Sequence, residues 1–302
     1  MSCLSASRLF RVCILGCLQL AAFAFSTLPA IAQQGGQSTH AAPPPPASPA
    51  TPQPPDGASA NNPWDQNDLI YGKDGKQGSS KTGKGDSCFL PPLSGLTPAS
   101  VALSDLRIPA KAKRDHDDGC AALEKGKIVD AENHFRKAVN RWPQYSAAWV
   151  VLGQTLEVQQ KPKAAKDACS EPLTDEPNYL PSYLCLADIS ARAQHWDEVL
   201  SLSIRALAID STTVAVAYDY NAAANLHLHN LSEAEKSALK AAEIDKGNTD
   251  PRVHFLLAQI YEAKGDRTRE AGQLREYLKF ASDPNDISMV KRYLSDIDKG
   301  KQ

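Results

Sequence analysis

The chain has 302 residues, 42% of them hydrophobic and 23% charged, with a formal charge of −2. That balance is ordinary for a globular chain, and no excess of either sign points to nucleic acid or to any strongly charged partner. The length leaves room for a repeat domain and for a sizeable segment outside it.

Residues 1–32 read as a signal peptide. Arg8 and Arg11 form a positive n-region, Val12 to Phe25 is apolar except at Gly16 and Gln19, and Ala30-Ile31-Ala32 offers a cleavage site. Removing the two arginines would take the formal charge from −2 to −4. An uncleaved membrane anchor is the alternative, against which the run is short for a span of about twenty residues. Lipidation at Cys17 fits poorly, because the apolar run continues past it. The expected location is therefore periplasmic or extracellular.

Residues 33–87 carry Pro43 to Pro46, further prolines to Pro55 and then a Gly/Ser/Lys tract. Such a composition buries too little apolar surface to offset chain entropy, so a disordered linker is expected. Gly78 to Lys84 imitates the start of a phosphate-binding loop. Gly85 stands where Ser or Thr should hold magnesium, and no apolar strand precedes it. Residues 88–109 regain apolar character with Phe89, Leu90, Leu93, Val101, Leu103, Leu106 and Ile108 between Pro91, Pro92, Pro98 and Pro109. They are expected to form an irregular cap over the outer face of the first helical unit.

From 110 onward the pattern is helical. Helices are expected over about 110–125, 128–141 and 145–158, then from Pro162, then over 179–193, 196–209, 213–228 and 231–245. Two more start near Pro251 and Thr268, and the last covers 285–298. In that last helix Ile287, Val290, Leu294 and Ile297 form one stripe, while Lys291, Arg292, Asp296 and Asp298 face away.

Three columns of residues recur with one period. Small residues fall at Gly119, Gly153, Ala187, Ala222 and Ala258, spaced 34, 34, 35 and 36. Asp115, Trp149, Tyr183, Tyr218 and His254 keep the same four spacings. Ala131, Ala165, Val199, Ala234 and Ala271 are spaced 34, 34, 35 and 37. The clearest unit is Trp149-x-x-Leu152-Gly153, then Leu156, Ala165, Cys169 and Pro177. It resembles the tetratricopeptide signature W-x₂-L-G-x₂-Y…A-x₃-F…P, with Leu156 for the tyrosine and Cys169 for the phenylalanine. Pro172 inside a second helix should kink or shorten it. Ser190 replaces the tyrosine and Ser211 the closing proline.

The resemblance implies an all-α, right-handed superhelical solenoid of about five helix pairs plus a C-terminal capping helix, the repeat domain covering 110–302. It also implies a concave groove lined by the first helix of each pair. Carried over by phase, the groove positions are Val150, Gln154 and Glu157; Leu184, Asp188 and Arg192; Asp219, Ala223, Leu226 and His227; and Phe255, Gln259 and Glu262. This mixed apolar and acidic set lacks the lysine/asparagine clamp that grips a C-terminal carboxylate. The implied role is a non-catalytic scaffold or adaptor for a protein or peptide. A structural subunit of a cell-envelope assembly is the alternative, and a hydrolytic enzyme is a third reading. No cofactor or metal is expected. His227 and His229 are two apart and do not share a helix face. Asp115, His116, Asp117 and Asp118 lack the glycine and glutamate of a calcium loop.

Outside the signal region four cysteines remain: Cys88, Cys120, Cys169 and Cys185. Three full pairings are open. Within the tetratricopeptide phase Cys169 and Cys185 fall on consecutive antiparallel helices, leaving Cys88 for Cys120. Free buried thiols are the other reading, since Cys169 fills an apolar column.

Overall fold

The computed structural model describes residues 88–96, 107–245 and 251–300; the expected signal peptide and linker lie outside them. Among the described residues the chain is all-helical. Repeat one pairs α1 (Ala110–Glu124) with α2 (Ile128–Arg141), and repeat two pairs α3 (Ser146–Val158) with α4 (Pro162–Ser170) and its short continuation α5 (Pro172–Asp175). Repeat three pairs α6 (Leu180–Arg192) with α7 (Trp196–Ile209), and repeat four α8 (Ala215–His227) with α9 (Leu231–Ile244). Repeat five pairs α10 (Arg252–Ala263) with α11 (Arg267–Phe280), and α12 (Pro284–Asp298) closes the stack. The strongest packing is within each pair and then between one pair and the next.

Close approach within a pair depends on the small column. A Cβ on Gly153 would lie 2.2 Å from the Cys169 sulfur, and one on Gly119 would lie 2.6 Å from the Phe135 ring. Pro172 interrupts the second helix of repeat two as expected: the break falls at Glu171, which keeps helical angles (φ −53°, ψ −45°). The missing N–H of Pro172 therefore divides the helix without turning it aside.

The turn inside every repeat is the same device. Gly126, Gln160, Gln194, His229 and Gly265 all have φ between 58° and 73°, and each lies seven residues after its small-column residue. Each turn residue donates its N–H to a carbonyl three residues back, and the next residue donates to one five residues back, as in Lys161 N to Leu156 O (3.0 Å) and Asp266 N to Tyr261 O (2.8 Å). This is the left-handed C-terminal cap that satisfies the last helical carbonyls.

The anchor column works between repeats. The Trp149 indole donates to the Pro143 carbonyl (2.7 Å), the Tyr183 hydroxyl to that of Pro177 (2.7 Å) and the Tyr218 hydroxyl to that of Ser211 (3.1 Å). Ser211 thus keeps the acceptor role of the proline it replaces. On α12, Val290 is fully buried and Leu294 and Ile297 pack against the same cluster, while Lys291, Arg292, Asp296 and Asp298 point away from it.

Candidate functional site

The first helices α1, α3, α6, α8 and α10 carry the sequence-predicted groove positions. The structure separates those positions into three groups. Val150, Leu184, Ala223 and Phe255 are core residues with no open surface. Phe255 packs its ring on Tyr277 of α11, 5.7 Å between centroids. Their helices are those expected, yet neighbouring elements cover the side chains.

The second group is polar apart from Leu226, and part of it is hydrogen-bonded within the chain. Asp188 accepts from the Arg192 guanidinium (2.9 Å) and from the Tyr220 hydroxyl (3.0 Å). Arg192 is thus a structural partner of Asp188. Burial pushes the Glu157 carboxyl up; Arg192 opposes that shift and Asp188 adds to it. Glu262 is likewise raised by burial, although the Tyr293 hydroxyl donates to it at 2.9 Å and favours its charged form. His227 is exposed and stacks on Trp196 with ring centroids 3.8 Å apart and planes within 6°. Asp219, Leu226 and Gln259 are half-buried.

Gln154 forms the third group. Its side-chain oxygen accepts the N–H of Leu90 (3.0 Å), and its side-chain N–H₂ donates to the Leu90 carbonyl (2.9 Å). Leu90 belongs to the segment expected to cap the outer face of repeat one. Residues 88–96 instead lie along the first helices. Cys88 is bonded to Cys120 of α1, Leu90 is paired with α3, and the 3₁₀ turn Leu93–Gly95 packs on α6. Phe89 and Leu93 join the core cluster that holds Val150 and Leu184, and Leu93 has no exposed surface. Burial of Phe89 and Leu93 in that cluster is the physical reason for the difference.

Both sulfur pairs are bonds in the structure: Cys88–Cys120 with Cα atoms 5.7 Å apart, and Cys169–Cys185 with Cα atoms 6.0 Å apart. His116 is buried against Phe135 and Tyr145, ring centroids 5.6 and 5.0 Å away. Its ring nitrogens approach the Cys120 sulfur at 3.7 and 3.9 Å. Cys88, His116 and Cys120 are the one group of three metal-ligating side chains among the described residues, and its two sulfurs are committed to each other.

The repeat period, the shared turn and the stacked helix pairs find direct counterparts among known proteins. The sequence profile of the tetratricopeptide repeat matches residues 116–174. The repeats resemble the tetratricopeptide repeat. The solenoid is similar to a thermophilic TPR protein of Thermus thermophilus, TTC0263, with 18% identity, a TM-score of 0.51, and coverage of 62% of this chain and 98% of that one. It is similar to PilW, described as a widely conserved type IV pilus biogenesis factor, with 13% identity, a TM-score of 0.57 and coverage of 63% and 86%. It is also similar to PilF of Pseudomonas aeruginosa, with 12% identity, a TM-score of 0.55 and coverage of 63% and 85%. At these identities the likeness is one of fold. Comparison with curated protein sequences gave no match.

Sequence reasoning placed the first helix of each pair and missed that residues 88–96 seat on them. Nothing in residues 88–96 taken alone says which face they seat on. The turn column had a visible signal, since Gly126 and Gly265 fall in phase. Gln160, Gln194 and His229 hide the rest of it.

Proposed function

We propose that this chain is an exported, non-catalytic tetratricopeptide scaffold that binds a protein or peptide partner along the concave face of its first helices. One observation carries the reading: those helices already seat a short irregular piece of polypeptide and pair both polar groups of the Leu90 main chain through Gln154. Repeat stacking makes a long surface, and two carboxylates on it, Asp188 and Glu262, are tied to Arg192, Tyr220 and Tyr293. Export is supported by the basic and apolar character of residues 1–25 with Ala30-Ile31-Ala32 behind it. Two disulfides suit an oxidising compartment. A subunit of an envelope assembly, held by its edges, is the alternative.

Site-specific photo-crosslinking in the native envelope separates the two. A photoreactive residue at Glu157, Gln259 or His227 should capture a partner. The same probe at Val129, Ile204 or Leu239, exposed apolar positions on the second helices, should not. Capture from the second helices alone would overturn the groove reading and favour the assembly subunit.

A further inference from the structure

Gln154 is 7% exposed, and its amide has both ends paired to a single residue of main chain. A buried amide is costly unless its donors and acceptor are used. The Leu90 carbonyl also accepts the Leu93 N–H (3.0 Å), so Gln154 pairs with the first residue of a turn that leads into the 3₁₀ helix Leu93–Gly95. Gln154 therefore reads backbone and leaves side-chain identity to its surroundings. Those surroundings are apolar on both sides: Phe89 precedes the paired residue and Leu93 follows it by three, and both enter the core cluster. Leu96, whose N–H bonds the Leu93 carbonyl, packs at the edge of that cluster. Covalent attachment is at one end, through the Cys88–Cys120 bond, which closes a separation of 32 residues.

We propose that Cys88–Leu96 is an internal ligand of the groove, and that the foreign partner is a segment of the same pattern. That pattern is a turn closed by an N–H three residues on, as Leu93 N–H closes on Leu90 C=O, with an apolar residue one before and three after the residue paired to Gln154. The proposal rests on the groove reading given above and adds its ligand class and its regulation. A tethered ligand holds its site at a high effective concentration, so a foreign peptide competes poorly while the tether is closed. The Cys88–Cys120 bond is that tether. Exchange with a small dithiol opens it: the two cysteines gain two electrons and two protons, and the dithiol leaves as its own disulfide. The segment then stays attached only through the chain that leads to α1, and its hold weakens.

The probe is a fluorescent synthetic peptide of residues 87–97 with Ser in place of Cys88, and binding is read by anisotropy against the full-length chain. The native oxidised protein should bind it weakly. Cys88→Ser/Cys120→Ser, which alters no groove residue, should bind at least ten-fold tighter. Adding Leu93→Asp to eject the internal segment should tighten binding further. Gln154→Ala in that background should weaken it at least ten-fold. If Leu93→Asp lowers the helix content by circular dichroism, Phe89→Glu replaces it with the same expectation. Equal affinity for the native protein and the double cysteine variant overturns the proposal, and so does indifference to Gln154→Ala. A foreign protein crosslinked at Glu157 while the peptide behaves in either of those ways leaves the scaffold reading standing. Peptide binding as expected, with crosslinks only from the second helices, removes the scaffold reading and leaves the internal ligand in place.

Discussion

The seam of repeats two and three is crossed by sulfur and apolar side chains. Cys169 of α4 is bonded to Cys185 of α6, and Leu152, Leu156 and Leu186 fill the space around Gly153 and Ala187. The seam of repeats three and four has the same period and the opposite chemistry. Asn221 stands where the signature has leucine, Asn225 where it has tyrosine, and Ser203 where it has phenylalanine. These departures meet in space. The Asn221 amide donates to Ser203 (3.1 Å) and accepts from Ser237 (2.8 Å), while Asn225 donates to Asn221 (3.0 Å) and accepts from Asn230 (3.3 Å). One seam is stapled, and the other is held by buried hydrogen bonds that lose value if any one partner is missing. A repeat solenoid tolerates a polar core position when the facing positions change with it.

The largest expected effect is at the sulfur seam. Cys169→Ala with Cys185→Ala opens a loop with a sequence separation of 16 and should lower stability by about 3 kcal/mol in denaturant titration. A loss under about 1 kcal/mol would mean that packing and not the bond holds this seam. At the polar seam, Asn221→Leu restores the signature residue yet strands the Ser237 hydroxyl and removes the donor to Ser203, which keeps its bond to the Leu200 carbonyl. It should cost about 2 kcal/mol. Adding Ser203→Ala and Ser237→Ala should recover most of that loss, because the three residues act as one unit. Failure to recover would show that the seam is not a coupled network.

These two seams also mark what the sequence could show. The small column and the anchor column recur at fixed spacing, so the helices and their pairing were legible from residues alone. Pro172 announced its own helix break. The hydrogen-bonded network was not legible, because Ser203, Asn221 and Ser237 look like three separate departures until the fold brings them together. The groove was half legible: phase put Gln154, Asp188 and Arg192 on the right helices. It could not show that Phe89 and Leu93 join the core cluster that holds Val150 and Leu184, since that cluster gathers segments far apart in the chain. The disulfides were open in the sequence for the same reason.

Acid should unsettle the first repeats through Glu132. Burial alone would raise its carboxyl, but hydrogen bonds from Lys161, Arg136 and Gln159 outweigh this and hold it at about 2. A free glutamate titrates near 4.3. Its folded value is the lower one, so its contribution is complete above about pH 4.3 and is lost as pH falls toward 2. With half-exposed cations as partners, that contribution is about 1 kcal/mol. Glu132→Gln should flatten the stability profile over this window relative to the native chain. An unchanged acid limb would remove Glu132 from the account.

The smallest effect belongs to the shared turns. Gln194 has φ 58°, a conformation that costs a side-chain-bearing residue roughly 1 kcal/mol and glycine almost nothing. Gln194→Gly should raise stability by about 0.5 kcal/mol, after allowing for glycine's larger unfolded-state entropy. The same change at His229 should act alike on the polar side of the molecule. Opposite signs at the two sites would show that the turns are not equivalent.

The most direct measurement of the occupied groove is the amide hydrogen exchange of Leu90. Its N–H is held by the Gln154 side chain across a gap of 64 residues. In the oxidised protein it should exchange far more slowly than in a free peptide. It should speed up at least ten-fold in Cys88→Ser/Cys120→Ser and in Gln154→Ala, while amides within α8 and α10 keep their rates. Exchange of Leu90 at the free-peptide rate in the oxidised native chain would contradict the occupied groove.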